Sequence, residues 1–374
     1  MQHGSEPRAV VDATLARIHH DYFNLLDLTT RFSLLSLFNS DEFQYDAFCS
    51  DFSPHPDVRE LKKSTLAFGQ RYGVLLPHAE HYITCAMYLF PAAPLEKILL
   101  LSMNYAVDFY LNDTMGREAQ PTTEEKRLLY EIRDRLSALG DNLEPRGPVS
   151  MAEKASIEVL SQIRKDAPAA WYTAYLSSYL HHIDVAHRPY DAQSLGYIER
   201  TEDYIDRRCH ISGMPHTVSL IEYSLDAYLD WEALDRAGVG AELRRLNWTV
   251  SLVGALTNDL FSFEKEVIDN RTDANLIVIL IMNNFRMGLA EAIELAGSII
   301  RHLLTDYKSG SAAVREKVTG SSVLTVEQRA GIDRYLVGLK TVLQACWTWQ
   351  TATRRYKRER SIWMETSVME PVVM

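Results

Sequence analysis

Residues 258–266 read Asn258-Asp259-Leu260-Phe261-Ser262-Phe263-Glu264-Lys265-Glu266. On a helix Asn258, Ser262 and Glu266 stand at i, i+4 and i+8, so an amide, a hydroxyl and a carboxylate share one row. Three oxygen donors on one rigid element suit a hard cation such as Mg²⁺, which keeps waters or phosphate oxygens as its remaining ligands. A polar surface row is the plainer reading of such a triple. Upstream, the same row runs through Gly254 and Val250, so this face passes from apolar to polar within one helix. The wall and rim of a cavity have that character, and a solvent-facing row does not.

The rest of the chain supplies a body for that helix. Its 374 residues are 47% hydrophobic and 24% charged, an ordinary globular composition with ample core. Pro and Gly are few and scattered, so no linker divides the chain, and a single domain over 1–374 is expected. The formal net charge of −11 argues against nucleic acid or an anionic membrane as partner. An anionic substrate is still allowed, because bound metal ions can reverse the local field. Cys49, Cys85, Cys209 and Cys346 lie far apart and form no zinc pattern, which fits reduced thiols in a cytoplasmic protein. No secretory signal opens the chain, and the longest apolar run, 276–282, is far too short to span a bilayer.

Nearly every long segment has helical periodicity, and no series of alternating strands appears. The pattern predicts helices over 9–38 (with a break near Thr29-Thr30), 57–72, 77–90, 95–113, 122–139, 150–165, 168–189, 194–211 and 216–229. It continues over 241–268, 273–283, 286–308 and 325–357, with an irregular loop at 41–56 around Pro54 and Pro56. No internal repeat or low-complexity tract is visible. The fold class is therefore all-α, a single-domain bundle of about a dozen helices around a central apolar cavity. The helices ending at 113 and starting at 241 read as the most apolar and are expected to lie centrally, facing each other. Residues 1–45 form an N-terminal extension, and the tail from 361 to 374 is expected to be mobile.

Three further constellations carry polar chemistry. The helix at 95–113 ends in Asp108-Phe-Tyr-Leu-Asn112-Asp113. Asp108 and Asn112 share a face, with Asp113 about a third of a turn away, and acids are mildly unfavourable at a helix C-terminus. Tyr204-Ile-Asp-Arg207-Arg208-Cys-His-Ile-Ser-Gly213-Met-Pro215 ends a helix in paired arginines, then Ser-Gly. Either arginine could be a cation favoured in a last turn or a guanidinium fork for phosphate oxygens. Trp349-Gln-Thr-Ala-Thr-Arg354-Arg355-Tyr356 closes the last long helix with a basic cluster that reads as a solvated face or as diphosphate donors.

Together these residues resemble class I terpene synthases of the bacterial type. Asn258 to Glu266 looks like that family's NDxxSxxxE metal motif, including the Lys before the final Glu. Arg355-Tyr356 is similar to the C-terminal RY motif, and Tyr204 to Gly213 looks like the diphosphate-sensing arginine followed by a helix break. Ser53-Pro-His-Pro-Asp57 through Gly73-Val-Leu75, and Tyr88-Leu-Phe-Pro91, also match, so the resemblance covers about residues 50–357 in order. The aspartate-rich motif departs from the family's DDxx(D/E): its position falls on Asn112-Asp113, and Gly116 stands where the third acid is expected. Asp108, one turn earlier, is the substitute ligand, with Glu118 a weaker one.

The resemblance implies an isoprenoid synthase fold and three Mg²⁺ ions (with Mn²⁺ as the alternative). The implied metal ligands are Asp108, Asn112, Asp113, Asn258, Ser262 and Glu266. Arg208, Lys265, Arg355 and Tyr356 are the implied donors to the diphosphate of a linear prenyl substrate. The allylic C–O bond would ionise and the cation cyclise in a pocket expected to include Tyr88, Tyr105, Phe109, Ile211, Ser212, Gly213, Gly254 and Trp349. Farnesyl diphosphate is favoured over geranylgeranyl diphosphate, and a homodimer is the family expectation. A chain-elongating prenyl diphosphate synthase would carry two aspartate-rich motifs, whereas the second motif here is of the Asn/Ser/Glu type. A non-catalytic helical scaffold is the other alternative, motivated by the altered first motif.

Overall fold

The computed structural model describes residues 6–75, 80–115 and 123–368. Among them the chain is helical, and the extended pairings are two isolated bridges, Phe32 with Trp363 and Arg358 with Ser367. The order begins α1 (Glu6–Asp27), α2 (Leu34–Phe38), α3 (Tyr45–Phe48), α4 (Val58–Tyr72), α5 (Glu80–Leu89) and α6 (Leu95–Met115). It continues α7 (Thr123–Ser137), α8 (Met151–Asp166), α9 (Ala169–Ala186), α10 (Ala192–Leu195), α11 (Thr201–Ile211) and α12 (Met214–Leu225). The last part is α13 (Trp231–Arg236), α14 (Gly240–Phe263), α15 (Leu276–Asn283), α16 (Leu289–Gly320) and α17 (Val326–Ala352). A π-helical turn, Glu264–Asp269, extends α14, and a 3₁₀ turn, Arg354–Tyr356, follows α17.

The all-α expectation holds, and the differences have local causes. Thr29 adopts a left-handed φ of 56°, which ends α1 at the foreseen break. Gly196, at φ 77°, caps the short α10, so the helix read over 194–211 starts only at Thr201. The unforeseen α13 is capped by Asp230, whose carboxylate accepts the Ala233 N–H. α16 runs on to Gly320 through a Ser/Gly-rich stretch, because Ser311, Val314 and Val318 are buried and packing overrides weak propensity.

α14 is the hub, packed on α16, α17, α12 and α11, while α6 packs on α5, α4 and α8. The two lie across a hollow from each other, each contributing part of its wall. Neither is the most apolar helix. That is α15, in which Leu276 to Met282 are all buried. The tail also differs from expectation: Ile362 and Trp363 are fully buried, and the Glu365 carboxylate accepts the Leu34 and Leu35 N–H groups at the start of α2. Residues 361–368 are thus part of the packed body, while 369–374 lie outside the described residues.

One buried acid makes stability pH-dependent. Glu222, 4% exposed on α12, accepts the Leu229 N–H at 3.0 Å and Trp231 Nε1–H at 3.2 Å, tying α12 to α13. Burial outweighs these hydrogen bonds and pushes its carboxyl up to about 7. A folded-state value above the unfolded one stabilises the protein below the unfolded value, and this contribution is lost as pH rises through about 7. Urea unfolding should show wild type losing about 3 kcal/mol more than Glu222→Gln as the pH climbs through that window. Parallel pH profiles for the two would refute the assignment.

Candidate functional site

The site is built outward from α14. Asn258 sits between three partners: its Oδ1 accepts Arg208 Nη2–H at 2.9 Å, and its Nδ2 donates to Tyr356 Oη at 2.7 Å and Gln350 Oε1 at 3.3 Å. One turn on, the Ser262 hydroxyl donates to the Asn258 carbonyl at 2.6 Å. The helix then widens into its π turn, an irregularity that often marks functional sites. Lys265 and Glu266 both border the hollow here, with Ser262. Glu266 accepts from Asn275 Nδ2 at 3.2 Å.

Glu264, on the same turn, points away from the hollow and anchors the turn from behind. Its carboxylate accepts Tyr22 Oη–H at 2.9 Å, the Ser361 hydroxyl at 2.6 Å and the Ile362 N–H at 2.9 Å. α1, the C-terminal segment and the π turn are therefore knitted together through one buried acid.

Arg208 approaches from α11. Its Nε donates to Asp259 Oδ1 at 2.6 Å, and Asp259, fully buried, also accepts Tyr204 Oη–H at 2.6 Å and the Leu276 N–H at 2.9 Å. Burial works against the guanidinium charge, but Asp259 and its neighbours outweigh it and hold Arg208 charged. Arg207 turns the other way, pairing with Glu199 and stacking over Tyr190 at 4.3 Å. Only Arg208 of the two borders the hollow.

The helix break after Arg208 brings Ile211, Ser212 and Gly213 to the wall. Gly213 has φ 77°, and a Cβ there would meet His216 Cε1 at 2.9 Å, so glycine is required on both counts. Across from it, a Cβ on Gly254 would meet Met214 Cε at 2.5 Å, which lets α14 close on the start of α12.

α6 supplies the opposite wall with Tyr105, Asp108, Phe109 and Asn112. Asp108 accepts Asn104 Nδ2–H and Tyr179 Oη–H, both at 2.9 Å, and its Oδ2 lies 3.7 Å from His216 Nε2. Asn112 is exposed at the rim and donates to Asp113 Oδ1 at 3.1 Å. Asp113 does not border the hollow; it forms a two-point pair with Arg355, at 3.0 and 3.4 Å. Arg355 does border it and stands over the Phe109 ring at 5.5 Å. Gly116 and Glu118 lie outside the described residues.

The aromatic wall needs one correction. Tyr88 is not among the lining residues; its ring packs on Phe52 at 5.5 Å. On α5 the inward positions are Cys85 and Leu89, at i and i+4, which turns Tyr88 away. Trp349 does line the hollow, held by Nε1–H donation to Thr84 Oγ1 at 3.1 Å, with Phe109 and Tyr356 rings at 6.2 and 6.4 Å. Burial pushes the Tyr356 phenol up to about 12, so it is a hydrogen-bond donor at neutral pH.

The hollow, about 240 Å³, thus has an apolar body walled by Leu89, Phe109, Met214, Cys346 and Trp349 and a polar mouth. His182, His216 and Thr217 also line it, although no sequence motif pointed to them, and Gln350 lines it and Asp259 supports it from within the quoted stretches, where neither had been given a role. Among the described residues no three His, Cys, Asp or Glu side chains gather into a metal site of their own. The donors at the mouth are an amide, a hydroxyl and carboxylates. That set fits a hard cation completed by phosphate oxygens and water rather than a closed protein cage.

Comparison with known proteins agrees with this fold. (2Z,6E)-hedycaryol synthase of Kitasatospora setae is 22% identical over 72% of this chain and 77% of its own length. Sesquiterpene synthase 6 of Postia placenta is 23% identical over 86% and 90%, respectively. Linalool/nerolidol synthase from Streptomyces clavuligerus, solved with 2-fluorogeranyl diphosphate, has the same fold at TM-score 0.68 and 15% identity, covering 81% of this chain and 97% of its own. Germacradien-4-ol synthase from Streptomyces citricolor superposes at TM-score 0.66 and 18% identity, over 80% and 95%. The family model for terpene synthase family 2, C-terminal metal binding, matches residues 104–306, more than half of the 374 residues and both polar walls of the hollow, and the chain belongs to that family.

Proposed function

We propose that this chain is a Mg²⁺-dependent terpene cyclase that ionises a linear prenyl diphosphate, farnesyl diphosphate first and geranylgeranyl diphosphate second, and cyclises the resulting cation. The observation that carries this reading is the convergence of Asn258, Ser262, Glu266, Arg208, Arg355 and Tyr356 at the mouth of one apolar hollow. Asn258, Ser262 and Glu266 would hold metal from one side, and Asp113 with Asn112, or Asp108, from the other. When bound, Mg²⁺ supplies positive charge that offsets the leaving diphosphate.

The chain's own groups do the rest. Arg208 donates to Asn258 Oδ1, Tyr356 Oη accepts from Asn258 Nδ2 and keeps its own O–H to donate, and Lys265 and Arg355 border the same mouth, so four donor groups would face one anion. Arg355, paired with Asp113 here, would turn to the diphosphate oxygens, and the Asp113 carboxylate would then be available to hold a metal. Phe109 and Trp349 present aromatic faces to the cation, each worth about 0.5–2 kcal/mol. The apolar body excludes water that would otherwise capture the cation.

The test is incubation with ten-, fifteen-, twenty- and twenty-five-carbon prenyl diphosphates plus Mg²⁺, with Mn²⁺ and chelator arms. Phosphate assay and gas chromatography–mass spectrometry report the outcome. Metal-dependent diphosphate release with a cyclic terpene from the fifteen-carbon substrate is expected. Products that lengthen only with isopentenyl diphosphate, or no release from any substrate, would overturn the reading.

A further inference from the structure

Two hollows meet back to back at a pair of imidazoles. His182 on α9 and His216 on α12 line the main hollow, and they also line a second cleft of about 310 Å³. Among the described residues no other side chain borders both. The second cleft faces solvent, because Ala174, Ser177 and His181 on its outer side are exposed. These two side chains therefore stand between the main hollow and this cleft, each bordering both.

The rings are fitted to that position. Their centroids are 4.7 Å apart, and Tyr179 meets His216 edge-on at 5.4 Å. A Cβ on Gly213 would stand 2.9 Å from His216 Cε1 and 3.2 Å from His182 Cε1, so both rings occupy the space that only a glycine leaves open. His216 is 2% exposed, yet neither ring nitrogen has a hydrogen-bond partner. The nearest carboxylate oxygen, Asp108 Oδ2, stands 3.7 Å from Nε2, so packing and that charge, rather than a hydrogen bond, hold the ring, and its cost calls for a reason. Burial, reinforced by His216 and His187, holds His182 neutral, so it puts no charge on the partition.

On the reading that the main hollow hosts a carbocation, we propose that His182 and His216 form the partition that keeps solvent out. They thereby decide whether the cation ends by losing a proton or by capturing water. Removing either ring joins the hollow to the cleft. A water entering there donates a lone pair to the cationic carbon, forming a C–O bond, and sheds its extra proton to a second water. The product is an alcohol, formed at an earlier cation than in the sealed enzyme.

His182→Ala, His216→Ala and His182→Phe should be compared with wild type, on farnesyl diphosphate in water carrying the heavy oxygen isotope. Mass spectrometry measures the labelled alcohol fraction and a phosphate assay measures turnover. The labelled, less cyclised alcohol fraction, counted per diphosphate released, should rise about tenfold in each Ala variant. His182→Phe restores a ring of similar shape without nitrogens and should return the wild-type profile. His182 is only partly buried, so its Ala variant tests the idea even if His216→Ala does not fold.

Unchanged labelling in a folded His182→Ala enzyme would overturn the proposal. So would equal leakage from His182→Phe, which would assign the effect to the ring nitrogens. A wild type that already yields mainly labelled acyclic alcohol would also overturn it, since its hollow would not be sealed. Failure of wild type to release diphosphate is a separate outcome that removes the cyclase reading itself.

Discussion

Asn258→Ala is expected to slow diphosphate release about 10²–10³-fold while leaving the helical content unchanged. Alanine is the best helix former, so α14 itself has no reason to unwind. What is lost is specific: the oxygen facing Arg208 Nη2, the amide donor to Tyr356 Oη, and one of three oxygens on the proposed metal-facing row. Asp113→Ala should give a loss of similar size from the other side, because it removes both the partner of Arg355 and the proposed metal carboxylate. Each variant should also need more Mg²⁺ for half-maximal rate, which separates a metal role from loss of substrate grip. Circular dichroism, steady-state kinetics and a Mg²⁺ titration check all three points. Wild-type turnover in both variants would remove the metal assignment.

The parts of this site that were legible in the sequence are those confined to one helix or one turn. The row Asn258, Ser262 and Glu266 borders the hollow because its spacing follows the helical period, and the π turn keeps Lys265 and Glu266 on that side. Arg355 and Tyr356 could be read for the same reason. Tyr88 was misread because a motif fixes position along the chain but not helical phase, and one residue rotates a side chain by about 100°. Arg207 and Arg208 were equivalent until Glu199 and Asp259 distinguished them, and both partners come from other segments.

The same limit hid the clamp on Glu264, whose donors Tyr22 and Ser361 stand at opposite ends of the chain. It also hid the His182–His216 partition, which exists only once α9 packs against α12. The packed segment at 361–368 belongs to this class too: its composition reads as a tail, and burial of Trp363 against Phe32 and Phe263 makes it part of the core.

Asp259→Ala should be the most damaging single change to the fold around the site, at about 3–5 kcal/mol, because it strands a buried guanidinium. It also strands Tyr204 Oη–H and the Leu276 N–H, the first turn of the most apolar helix. Whether Asp259 serves only the fold can be decided by removing the charge along with its partner. In Arg208→Met/Asp259→Ala no unpaired charge remains, so urea unfolding should recover part of the stability lost in Asp259→Ala alone. Activity should not recover, since the guanidinium that reaches Asn258 is gone. Arg208→Lys sharpens the distinction. An ammonium keeps the charge but not the planar fork whose Nε and Nη2 fix Asp259 Oδ1 and Asn258 Oδ1 together, so turnover should fall about 10–10²-fold, with a smaller loss of stability than in Asp259→Ala. Should Asp259→Ala cost less than about 1 kcal/mol, Arg208 would not be the buried, pre-aimed donor described here, because an exposed arginine needs no such partner. Should the double variant regain turnover along with stability, the diphosphate must be gripped without Arg208. The sensing role proposed for Arg208 would then fall to Arg355 and Lys265 at the mouth.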